Sequence, residues 1–159
     1  MHRLLVLALL VPALAFAQGK DDPYGDAPPA EESEPSRLAL VPEEGSDLLR
    51  LLQPIRFTTG STEIATISKL VLGDVAAVLN EHPEWTRIDI GGHTDAVGAD
   101  AENLALSQGR AEAVKRALVA REVAEGRLTA TGYGETKPIV QAKDEIGHAK
   151  NRRVEFRVK

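Results

Sequence analysis

The chain has 159 residues, a formal net charge of −5 at neutral pH, one tryptophan and no cysteine. Without cysteine, disulfides, thiolate metal sites, a cysteine nucleophile and an acylated N-terminal cysteine are excluded among these residues. The acidic balance and low aromatic content give no footprint for nucleic acid.

Met1-His2-Arg3, the apolar run Leu4 to Ala17 and the small-residue exit Ala15-Phe16-Ala17 have the layout of a secretory signal peptide, residues 1–17. The apolar run is 14 residues and contains Pro12, whereas a membrane-spanning helix needs about 20. Residues 18–45 follow as an acidic tether. Asp21, Asp22, Asp26, Glu31, Glu32, Glu34, Glu43 and Glu44 outnumber Lys20 and Arg37, and five prolines are interspersed. Such a segment buries too little apolar surface to offset its ordering entropy, so it is expected to be disordered. Residues 46–159 carry equal numbers of basic and acidic side chains and are long enough for one domain with one core.

Within that domain, Pro54-Ile55-Arg56-Phe57 reads as a first strand, and Ser61 as the cap of a helix carrying Ile64, Ile67, Leu70, Val71, Val75, Val78 and Leu79. Trp85 to Ile90 reads as a second strand that delivers the glycine-bracketed loop Gly91-Gly92-His93-Thr94-Asp95-Ala96-Val97-Gly98. A second helix starts near Asp100, with Leu104, Ala111, Val114, Ala117 and Leu118 as its buried stripe. Gly109 places a poor helix former in its middle, at a cost of about 1 kcal/mol unless it permits close packing. Arg127 to Gly132 is a third strand, Asp144 to Lys150 a short helical stretch, and Asn151 to Val158 a final strand with Val154, Phe156 and Val158 on one face. The order β, α, β, α, β, short helix, β implies an α/β (α+β) sandwich of two layers, one sheet with helices on one face.

Asn103, Ser107 and Arg110 share a helix face, opposite the apolar stripe on this reading. Asp95 and Arg110 could then present a carboxylate and a guanidinium close together, a receptor for a zwitterionic head group. On spacing alone, Asp95 is more often a turn residue and Arg110 a solvated helix charge. His93 beside Asp95, with His2, His82 and His148 scattered elsewhere, falls short of a metal-ligand set, and no cofactor is expected. Arg152 and Arg153 begin an alternating strand and should point to opposite faces, so at most one joins the site.

Motif blocks in order carry a resemblance: Gly92-His93-Thr94-Asp95; Gly98, Asn103, Leu106-Ser107, Arg110-Ala111 and Val114; Gly132-Tyr133-Gly134-Glu135 with Pro138; and Asn151-Arg152-Arg153 with Val154-Glu155-Phe156. Together they resemble the OmpA-like C-terminal domain, over about Ile55 to Val158. The resemblance implies a periplasmic, non-catalytic domain, free or associated with the outer membrane of a Gram-negative cell, that binds the meso-diaminopimelate of the peptidoglycan stem. It implies that Asp95 takes the ammonium and Arg110 the carboxylate, with Asn103, Arg153 and the Thr94 backbone in support. Where relatives have an acidic or amide residue after the first strand, this chain has Thr58-Thr59-Gly60, so that wall of the pocket departs from the pattern. Two other classes compete. A wall-cleaving enzyme using Asp95 lacks any Ser-His-Asp ordering, cysteine nucleophile or zinc triad, and an envelope interaction protein would act mainly through its tether. A flagellar stator is disfavoured for want of a spanning helix.

Overall fold

In the computed structural model of the chain, residues 40–159 are described; the expected signal peptide and residues 18–39 of the expected tether lie outside them. The elements are β1 (Leu40–Pro42), β2 (Leu48–Leu51), α1 (Thr66–Glu81), β3 (Ile88–Gly92), α2 (Asp100–Val119), a 3-10 turn (Glu125–Arg127), β4 (Leu128–Gly132), α3 (Glu145–Asn151) and β5 (Val154–Val158). They build one mixed sheet in the order β1-β2-β5-β3-β4. β3 and β4 pair in parallel, which requires a crossover, and α2 supplies it. The remaining neighbours are antiparallel. The fold is the two-layer α+β arrangement expected from the sequence.

Alternation decides which side of the sheet the helices cover. Ile88 and Ile90 of β3, Val154 and Phe156 of β5 and Leu49 of β2 are buried together with Leu72, Val75 and Leu79 of α1 and Ala111, Val114 and Leu118 of α2. The other face is polar: Asp89 of β3 and Glu155 and Arg157 of β5 alternate with these apolar residues, and His93 and Arg153, which flank the two strands, continue the same phase. Asp89, although on that face, is buried and accepts from Thr131 Oγ1 at 2.7 Å and Tyr133 Oη at 3.0 Å.

Three expectations are corrected. First, residues 40–42, assigned to the tether on their proline and acidic surroundings, form the outermost strand, and a turn with Gly45 at φ 75° returns the chain to β2. Leu40 and Leu49 are buried by this pairing, which is the apolar gain that the composition concealed. Second, Pro54 to Phe57 is no sheet strand but one arm of a small loop, closed by the bridge Phe57 to Ile64, with Gly60 at φ 64° at its tip. Ser61 Oγ accepts from the Glu63 N–H at 3.0 Å within this loop, so it stabilises a turn and α1 begins later, at Thr66. Third, Ile67 and Leu70 are exposed, because α1 turns Val71, Leu72 and Val75 to the sheet instead.

The end of α1 depends on a distant side chain. Arg127 donates to the carbonyl of Leu79 in the last turn of α1 (2.9 Å), to that of the capping residue His82 (2.7 Å) and to that of Trp85 beyond it (3.0 Å). Arg127→Met should therefore lower the unfolding free energy by about 2 kcal/mol, read as a shift in urea midpoint at constant slope. A change below about 0.5 kcal/mol would show that water replaces the guanidinium without loss.

β4 is an outer strand, and Gln108 of α2 reaches its free edge. Its Nε2 donates to the Ala130 carbonyl at 3.3 Å, and its Oε1 accepts from the Gly132 N–H at 2.6 Å.

Candidate functional site

The loop from His93 to Gly98 leaves the end of β3 at the level where α2 begins, and its first three residues are buried. Glycine makes that burial feasible by letting α2 lie against the strands. A Cβ on Gly92 would stand 2.2 Å from the Ser107 carbonyl oxygen, and one on Gly132 would stand 2.4 Å from the Gln108 nitrogen. Gly109 behaves similarly toward the small loop, with its missing Cβ 2.7 Å from Thr62 Cγ2.

The polar residues of α2 fasten this corner. Asn103 Nδ2 donates to the carbonyls of Asp95 (3.3 Å) and Val97 (3.2 Å) and to Glu135 Oε2 (2.8 Å). Ser107 Oγ donates to the Leu104 carbonyl and accepts from the Gly134 N–H at 2.9 Å. Asn103 and Ser107 are buried while Leu104 is 52% exposed, the reverse of the expected faces. Over the first two turns, α2 packs on two loops rather than on the apolar core. Loop backbone needs hydrogen-bond partners, so polar side chains are the ones buried there.

The Thr94 backbone, expected to help bind ligand, donates instead to the Gly134 carbonyl at 2.9 Å and is consumed internally. Asp95 keeps one oxygen for the loop, with Oδ1 accepting from the Val97 N–H at 3.2 Å. Its Oδ2 turns outward and meets Arg152 Nη1 at 2.6 Å. Arg153, the other arginine of the pair and the one expected at the site, lies across the sheet. It bonds Glu155 Oε1 at 2.7 Å and the carbonyls of Asn151 and Lys137. The reason is register: Arg153 is already in phase with β5 and on the polar sheet face, whereas Arg152 still belongs to the end of α3. Arg152 Nη2 also bonds Glu145 at the start of that helix.

Arg110 is held from behind. Its Nε donates to the Ser61 carbonyl at 3.0 Å, and its guanidinium carbon stands 5.0 Å from the centre of the Phe57 ring. Its two outer nitrogens make no hydrogen bond among the described residues. The loop containing Thr58-Thr59-Gly60 thus forms a wall through the Ser61 carbonyl and the Phe57 ring. Burial pulls the Arg110 pKa below its usual value, the positive charge of Arg152 adds to this, and Asp95 opposes it. The corner therefore gathers a buried carboxylate and a positioned guanidinium with two donors free. The sequence reading named Asp95 and Arg110, which the structure brings to this corner; of the two adjacent arginines it named Arg153 and missed Arg152.

His93 sits on the other sheet face, enclosed, stacked on Tyr133 at 5.1 Å between centroids and 3.7 Å from Glu155. Burial, then the charge of Arg153, lowers its pKa from 6.5 to about 4, against the pull of Glu155. It is therefore neutral in the fold at neutral pH. Between these two values the unfolded chain binds the extra proton and the folded chain does not, so stability is full above pH 6.5 and falls as pH drops toward 4. Each unit is worth about 1.4 kcal/mol, which sets the loss at no more than about 3.5 kcal/mol. Urea unfolding of wild type and His93→Gln at several pH values checks this. The wild type should lose more on acidification, and parallel curves would assign the acid sensitivity to other groups.

Among the described residues no group of three or more histidines and carboxylates could hold a metal ion, and no helix is long and apolar enough to cross a membrane.

Comparison with known proteins gives a consistent result. The profile of the OmpA family matches residues 56–152, which span the corner from the Phe57 loop to Arg152. The chain is similar to outer membrane porin F of Pseudomonas fluorescens, 37% identical over 113 residues that make up 71% of this chain and 34% of the porin. It is similar to the peptidoglycan-associated lipoprotein of Pasteurella multocida, 43% identical over 83 residues, 52% of this chain and 55% of that one. These matches thus span about a third and about half of the length of the two relatives. Among solved structures, the peptidoglycan-associated lipoprotein from Burkholderia pseudomallei superposes with a TM-score of 0.58 at 35% identity, covering 67% of this chain and 87% of that one.

Proposed function

The chain belongs to the OmpA family, and from that membership we propose that its folded domain binds peptidoglycan without catalysis, gripping the meso-diaminopimelate of the peptide stem. The relatives' names place them at the outer membrane and on the wall, and this chain works on the same periplasmic side. The observation that carries the finer reading is Arg110, whose guanidinium is fixed by Ser61 and Phe57 while its two outer nitrogens have no acceptor among the described residues. A planar donor pair of this kind fits a carboxylate. Asp95 nearby supplies the opposite pole for an ammonium. Diaminopimelate ends in such a zwitterion, whereas a lysine stem ends in an ammonium alone and would leave Arg110 unpaired.

Co-sedimentation with purified sacculi tests this. The protein should pellet with diaminopimelate-type walls and stay in solution with lysine-type walls, and free diaminopimelate should release it. Equal retention on both wall types would sink the diaminopimelate reading. Release of soluble muropeptides by purified protein would sink the non-catalytic one.

A further inference from the structure

We propose that His148 is a further binding residue of this site: its Nδ1 and the Oδ2 of Asp95 form a two-acceptor seat for one ammonium. The proposal rests on the zwitterion reading above and adds to it a residue outside the sequence blocks that suggested the site.

α3 carries His148 and, one turn later at its end, Arg152, so the two side chains share the helix face turned toward Asp95. Arg152 takes Asp95 Oδ2 directly at 2.6 Å. His148 Nδ1 stops 3.9 Å from the same oxygen, too far for a hydrogen bond. That nitrogen is enclosed and has no hydrogen-bond partner among the described residues. A buried polar atom left unpaired is costly, so the gap is a place for a missing group. With the ring proton on Nε2, Nδ1 is an acceptor, and two acceptors 3.9 Å apart face each other. A donor nitrogen at about 2.8 Å from both would see them at an angle near 90°, which an ammonium can serve with two of its three protons.

Calorimetric titration of the full chain with a soluble diaminopimelate-containing muropeptide, near pH 8, tests the proposal in wild type, His148→Gln and His148→Leu. Glutamine keeps a carbonyl acceptor. Leucine keeps bulk and removes the acceptor. The leucine variant should bind about tenfold more weakly than wild type, with glutamine within about threefold. A leucine variant that binds like wild type, or a glutamine variant that loses as much as leucine, overturns the role of His148 and leaves the Asp95 and Arg110 site intact. Absence of wild-type binding overturns the site and the proposal together.

Discussion

Gly92→Ala is expected to cost about 3 kcal/mol or more of stability, a large share of the total if that lies near the lower end, about 5 kcal/mol, for a folded domain. The added methyl would lie 2.2 Å from the Ser107 carbonyl oxygen, which is helix backbone and cannot swing aside as a side-chain tip would. The helix would have to lift off β3. That movement would also pull Asn103 and Ser107 away from the loops they fasten. Gly126→Ala is the control, since nothing lies within 4 Å of its would-be Cβ, and it should be neutral or mildly stabilising. Urea unfolding of the two variants decides the matter. A Gly92→Ala variant within about 1 kcal/mol of wild type would mean that α2 is not pressed on the strand as described.

Asp95→Asn should weaken muropeptide binding about a hundredfold while leaving the fold in place. Asparagine can still accept from the Val97 N–H through its carbonyl oxygen, so the loop keeps its internal bond. The negative charge that would hold an ammonium is lost, and so is the partner of Arg152. A charge-assisted hydrogen bond is worth roughly 1.5–3 kcal/mol, and a factor of ten corresponds to about 1.4. Arg110→Lys should lose about tenfold, because lysine preserves the charge but not the two parallel donors or the stacking on Phe57. Binding isotherms read both variants, with thermal unfolding as the check on folding. Wild-type affinity in Asp95→Asn would remove the carboxylate from the site.

Most of the fold was legible where apolar periodicity was strong. Ile88 and Ile90, the Ala111-Val114-Leu118 stripe and the Val154-Phe156-Val158 alternation each indicated their element and face. It was illegible where burial is bought by something other than apolar side chains. Asn103 and Ser107 are buried because two loops need their hydrogen bonds, and a hydrophobic pattern therefore reads α2 inside out over its first turns. Strand β1 is only three residues long and sits among prolines and acids, so composition masks it. The choice between Arg152 and Arg153 turned on where α3 ends and β5 begins, a boundary of one residue that alternation alone does not locate.

The contact of Gln108 with β4 has a meaning for the protein's life among its own copies. An outer strand with unpaired carbonyl and N–H groups invites another chain to pair with it. A parallel neighbour would engage Ala130 and Gly132 through the carbonyl and N–H of a single residue, and the Gln108 side-chain amide occupies both of those positions already. The sheet thus ends on a surrogate peptide group carried by a helix, and at this edge aggregation by strand addition must first evict it.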